Sequence, residues 1–100
     1  MMQKTFHQNF DIVYSACKKA LKSLGMNIEY DNMRNGSMSA STQSSIWSWG
    51  ESIDISVSKD KGKILVKVKS DHKAQLFDLG GKNEKNEENI LNEVAKILNK

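Results

Sequence analysis

Two groups of residues in this chain have types and spacing that could do chemistry. The denser is Trp47-Ser-Trp49-Gly-Glu51. Trp49 and Glu51 share parity with Ile53, so a strand extended back through them turns Glu51 inward, where a carboxylate needs a partner or a raised pKa. Ser70, His72 and Lys82 are the candidate contacts, and a Glu51–His72 pair could support general acid–base catalysis. The competing reading starts the strand near Ser52. It leaves Glu51 at the rim and gives Trp47 and Trp49 the usual work of large aromatics near a sheet end, closing the edge of the core. We prefer the packing reading.

The second group is basic: Lys59, Lys61, Lys63, Lys67, Lys69 and Lys73. Lys63, Lys67 and Lys69 share one face of a strand, a surface able to meet nucleic acid. No aromatic is predicted on that face, so it lacks stacking platforms, and Asp54 stands on the neighbouring strand as a cross-strand ion partner. A solvated surface that resists aggregation is the preferred reading.

Little else in the chain suggests a reaction. Cys17 lies on an apolar helical stripe, where a thiol behaves as a small hydrophobe. His7 and His72 have no metal-ligand spacing, so neither metal nor cofactor is expected. Gly80-Gly81-Lys82 precedes a helix but departs from the Walker pattern, and acids at 84, 87 and 88 would repel a phosphate.

The elements that must position these groups follow from hydrophobic periodicity. Residues 2–6 are a weak strand candidate. Phe10, Val13, Cys17, Ala20 and Leu24 recur at three- and four-residue steps, with Ile12, Ala16 and Leu21 widening the stripe. This predicts an amphipathic helix between an N-cap at Asn9 and a C′ glycine at Gly25. Four runs of period two come next. Met26, Ile28 and Tyr30 alternate with Asn27, Glu29 and Asp31. After a turn at Asn35-Gly36, Met38 and Ala40 alternate with Ser37, Ser39 and Ser41. A Ser-rich loop over 42–48 leads to the clearest feature, a hairpin of residues 51–58 and 63–70 turning at Asp60-Lys61-Gly62. Its inward residues must match, so Ile55 faces Val66 or Val68, and Glu51 falls opposite Ser70 or His72. A loop over 71–81 precedes a last helix from about Asn83 to Leu98. Its stripe is Ile90, Leu91, Val94, Ala95, Ile97 and Leu98, with Glu84, Glu87 and Glu88 at its N-terminal end.

The expected fold is α+β: a (β)αββββα two-layer sandwich, an antiparallel sheet of four or five strands with both helices on one face. The other face carries serines and lysines and is wet. The 100 residues read as a single domain, 1–100, with no linker or repeat. Charge is +3, from 15 basic and 12 acidic residues, which selects no nucleic-acid partner. A lone cysteine excludes an internal disulfide. No apolar run approaches the roughly 20 residues that span a bilayer, and the N-terminus lacks the apolar stretch of a signal peptide, so a cytoplasmic location is expected.

Gly36-Ser-Met-Ser-Ala40, Trp49-Gly-Glu51, Val66-Lys-Val-Lys-Ser70, Gln75, Asp78-Leu-Gly80 and Asn89-Ile90 together resemble a pattern in small conserved bacterial proteins of unknown function. The pattern covers nearly the whole chain after Asp11. Leu79 stands where those families more often carry an aromatic, and Gly81 is inserted relative to them. The layout is similar to the helix–sheet–helix arrangement of TATA-binding-protein-like domains. The resemblance implies no activity. It does imply a linked cluster of Trp49, Glu51, Ser70, Gln75 and Asp78 at one end of the sheet, with Asp78 bonding the free N–H groups of the last helix.

The candidate binding cluster is therefore Trp47, Trp49, Glu51, Ser70, His72, Gln75 and Asp78, with Lys63, Lys67 and Lys69 as a basic sheet face and no catalytic set. The expected function is a non-enzymatic binding or interaction module, either a monomer or a weak dimer, with a protein as the first candidate partner. A carrier for a small apolar ligand held between helices and sheet ranks second. Weak nucleic-acid binding ranks third, and catalysis by Glu51, His72 and Asp78 last.

Overall fold

The computed structural model describes residues 2–42, 51–72 and 82–99. Five strands and two helices appear in the expected order: β1 (Met2–Phe6), α1 (Phe10–Ser23), β2 (Asn27–Asn32), β3 (Ser37–Ser41), β4 (Glu51–Asp60), β5 (Lys63–His72) and α2 (Lys82–Leu98). The sheet is antiparallel throughout, with strand order β1-β5-β4-β3-β2. The weak N-terminal candidate is thus a true edge strand, and α1 carries the chain from that edge to the opposite one.

The helices cover one face, as the hydrophobic periodicity requires. Val13, Cys17, Ala20 and Leu21 of α1 and Ile90 and Val94 of α2 are sealed against Ile53, Ile55, Val57, Val66 and Val68 of the central hairpin. Two members of the predicted α1 stripe fall outside it: Ile12 is 52% exposed and Leu24 38%. Their place is taken by Tyr14, which is fully buried and whose ring stacks on Phe10 at 6.1 Å between centroids. Asn9 occupies the N-cap position, its carbonyl accepting from Val13 N–H, but its side chain makes no capping bond. At the other end Met26 N–H reaches the Leu21 carbonyl and Gly25 N–H the Lys22 carbonyl. This is a complete Schellman closure around Gly25 at φ +77°.

The central hairpin takes one of the two permitted registers. Ile55 pairs with Val68, Val57 with Val66, and Glu51 with His72. Its two-residue loop, Lys61-Gly62, has φ of 51° and 81°, the type I′ geometry that matches the strand twist. The β2–β3 turn differs from a two-residue Asn-Gly loop. It spans Met33 to Gly36, with Gly36 N–H on the Met33 carbonyl and Arg34 N–H on the Asn32 side chain. Gly36 itself is pressed against β4. Its carbonyl accepts from Val57 N–H at 2.7 Å, and a Cβ added there would lie 2.0 Å from the Val57 carbonyl oxygen.

One strand departs from its predicted alternation. A β-bulge between Ile28 and Tyr30 places Ile28 opposite Ala40 but Tyr30 opposite Ser39 and Asp31 opposite Met38. An extra residue in a strand reverses the parity of everything after it. Tyr30, expected inward, therefore stands on the open face, and Asp31, expected outward, turns to the helix side.

Candidate functional site

Two sites emerge from the described residues. The first lies at the end of the sheet where the candidate cluster was expected. Ser70 continues the inward parity of Val66 and Val68 and is 4% exposed. β1 pairs with β5 only as far as Val68, so Ser70 sits just past the end of that ladder. A side chain from α2 takes over there: Glu87 Oε2 accepts from Ser70 N–H at 3.0 Å and from Ser70 Oγ–H at 3.1 Å. Glu87, one of the three acids expected at the N-terminal end of the last helix, is 2% exposed. The signal was present in the spacing, because Glu87 lies three residues before Ile90 and seven before Val94, on the apolar stripe itself.

Of the other predicted members, Glu51 and His72 are register partners two positions beyond Ile53 and Ser70, so their backbones are adjacent. The contacts of their side chains, and of Lys82, fall outside the described residues, as do Trp47, Trp49, Gln75 and Asp78 entirely. The loops predicted over 42–48 and 71–81 also lie largely outside them, though Asp71 and His72 extend β5.

The second site is on the open face. Tyr30, Ser37, Ser39, Asp54, Ser56, Lys67 and Lys69 line a groove of about 370 Å³. Tyr30 is 48% exposed, and its hydroxyl accepts from Asn32 Nδ2 at 3.2 Å, which orients the ring. The expectation that no aromatic stands on this face is therefore corrected, and the bulge is the reason. Lys67 and Lys69 face the groove as predicted. Lys63 stands further along β5, opposite Asp60. Ser41 shares the parity of Ser37 and Ser39 yet is buried, its hydroxyl donating to Glu29 Oε2 at 3.0 Å.

The bulge has a second effect on the helix side. The buried Tyr14 phenol meets Asp31 Oδ1 at 2.5 Å and the Ser37 carbonyl at 3.0 Å, sharing its one proton between them with the carboxylate nearer. Lys18 Nζ lies 2.6 Å from Asp31 Oδ2. Bonds from Lys18 and then from Tyr14 hold the Asp31 carboxyl below its usual range. Burial first, and then the bond to Asp31, push the Tyr14 phenol well above its ordinary value. This arrangement ties α1 to β2 and leaves the phenol protonated, the opposite of what a nucleophile or base requires. Burial likewise pushes the Cys17 thiol up to about 12, which makes it inert.

The lowered pKa has a testable sign. Asp31 is ionised more readily in the folded chain than in the unfolded one, where its pKa is about 3.9. Its contribution is complete above that value and is lost as pH falls below it through the folded pKa. Asp31→Asn should therefore lower the urea midpoint at pH 7 and lower it much less near pH 2. An equal loss at both values would show that the carboxylate charge contributes nothing.

Among the described residues no helix is long and apolar enough to cross a membrane, and no three His, Cys, Asp or Glu side chains are grouped to hold a metal ion. No protein-family model matches this chain, and no curated protein matches it either.

Proposed function

We propose that this chain is a non-catalytic binding module that holds its partner against the open face of the sheet. The observation that carries this reading is the groove between Tyr30 and the Lys67/Lys69 pair, floored by serines. Its composition suits recognition: an aromatic ring offers area at low entropic cost, hydroxyls adapt to donor or acceptor, and lysines attract anions. Among the described residues no imidazole or thiol lines it. The hydroxyl and carboxyl groups at the sheet end, Ser70 and Glu87, are bonded to each other and shielded from solvent.

An apolar carrier draws no comparable support. The helix–sheet interface is filled by Val13, Tyr14, Cys17, Ile53, Val66, Ile90 and Val94, each fully buried.

An NMR-monitored screen of small polar and aromatic fragments tests the proposal. Amide shifts should converge on Tyr30, Ser37, Ser39, Ser56 and Lys67. Convergence instead on the helix face, around Ile12 and Ile97, would overturn it.

A further inference from the structure

The register of the sheet sets the groove's chemical order. One rung runs Tyr30, Ser39, Asp54, Lys69, and the next runs Asn32, Ser37, Ser56, Lys67. With strands about 4.8 Å apart, the Tyr30 and Asp54 backbones stand about 10 Å from each other, with Ser39 between them. Asn32 Nδ2 donates to the Tyr30 hydroxyl at 3.2 Å, so the ring lies along its own strand and walls this gap. The backbone of β3 and β4 is paired on both sides, which leaves side chains alone to recognise a ligand. The Asp54 carboxylate only accepts hydrogen bonds, the lysines only donate, and the serine hydroxyls do both. Opposite charges face each other at Asp54 and Lys69, so the centre of the strip is rich in donors and acceptors with little net charge.

Resting on the open-face reading above, we propose that this strip is a site for a neutral saccharide, with one sugar ring stacked on Tyr30. The C–H groups on the face of a sugar ring cover the half-exposed phenyl surface, and its hydroxyls project from the rim. Each of those hydroxyls both donates and accepts, which matches a strip of mixed polarity. Two adjacent hydroxyls donate to the two oxygens of Asp54, and Ser39 and Ser56 donate to the oxygens beside them. Other ligand classes leave part of this pattern unanswered. An anion meets the Asp54 carboxylate at the middle of the strip. An apolar molecule would cover Asp54 and the serines without replacing their bonds to water. A peptide strand finds no open ladder on the face of a sheet. A nucleic-acid strand wants several stacking platforms, and Tyr30 is the one aromatic on this face among the described residues. The groove's 370 Å³ falls within the range of about 300–1,000 Å³ usual for small-molecule sites.

The test is a titration of the full chain with cellobiose, whose equatorial hydroxyls leave flat C–H faces, followed by amide shifts. Inorganic phosphate and p-cresol serve as comparison ligands. Cellobiose should shift Tyr30, Ser39, Asp54 and Ser56, and its affinity should hold within about twofold when salt is raised tenfold, as for any uncharged ligand. Tyr30→Ala should weaken binding about tenfold, and Tyr30→Phe, which keeps the ring, should stay within about twofold. Because Tyr30 is half exposed both variants keep their fold, which circular dichroism checks. Asp54→Asn should weaken cellobiose about tenfold, since the amide offers one acceptor oxygen in place of two. An anion site would respond in the opposite direction to that change, because it removes a negative charge. Absence of any shift at about 50 mM cellobiose, far above a Kd of about 1 mM, overturns the assignment. So does unchanged affinity in Tyr30→Ala, tighter binding in Asp54→Asn, or phosphate or p-cresol binding as tightly as cellobiose. If fragments still converge on the open face while cellobiose gives nothing, the saccharide assignment fails and the binding-face reading stands.

Discussion

Gly36→Ala should be among the most destabilising single-methyl additions available to this protein. Two penalties coincide there. The backbone sits at φ +71°, where an L side chain costs about 1–2 kcal/mol. The added Cβ also meets the Val57 carbonyl oxygen at 2.0 Å, which is backbone and cannot rotate aside. Relieving that overlap means separating the start of β3 from β4 and weakening the 2.7 Å bond from Val57 N–H, at about another 1–3 kcal/mol. The total of about 2–5 kcal/mol is a large share of the roughly 5–15 kcal/mol typical of a domain, and corresponds to a fall of about 8 °C or more in Tm. Gly25→Ala is the control. Its φ is also positive, at +77°, but nothing lies within 4 Å of the added atom. It should cost only the backbone penalty, about 1–2 kcal/mol. Equal losses in the two variants would mean that the approach of Gly36 to β4 carries no energetic weight.

The second large effect is expected at Glu87. Glu87→Ala leaves Ser70 N–H and Oγ–H, both shielded from water, without the oxygen they share, and it opens space beneath α2. Lost acceptors and lost packing together should cost about 2–5 kcal/mol. Glu87→Gln keeps the volume and one acceptor oxygen, so it should cost less, about 1 kcal/mol. Ser70→Ala removes the hydroxyl bond to Glu87 and keeps the one from the backbone N–H, again about 1 kcal/mol. Urea denaturation of the three variants beside Glu88→Ala, an exposed neighbour on the same helix, decides the matter. If Glu87→Ala costs no more than Glu88→Ala, the carboxylate is not holding the sheet end.

Both sites show where the sequence was legible and where it was not. The hairpin alternation could be read to within one choice of register, because a slip by one residue would have buried lysines. The α1 boundaries followed from Asn9 and Gly25, whose conformational preferences act locally. The bulge was not readable, since Met26, Ile28 and Tyr30 alternate as cleanly as any regular strand. Only the partner strand and the pull of Tyr14 and Lys18 on Asp31 show that the parity changes after Glu29. With that change the open face acquires its aromatic and the helix side its carboxylate. Glu87 is a different case. Its place on the apolar stripe was visible, but a glutamate near a helix start has a ready explanation in the helix dipole, and that explanation hid the burial. Tyr14 was similarly overlooked although it falls at helical spacing between Phe10 and Cys17. Lys67 and Lys69 needed only strand parity to be placed correctly.

The position of β1 bears on how the chain reaches its native form. Its five residues pair with β5 partners roughly sixty positions away, whereas β2 to β5 are neighbours in the sheet in chain order. Closing so large a loop is entropically slow, so the four-strand meander should assemble first and the N-terminal ribbon should dock last. Until it does, the outer side of Ile64–Val68 presents amides and carbonyls that β1 will pair to any other copy in the same state. The lysines along that strand then act as a temporary guard against self-association during synthesis, before the final ribbon covers the edge.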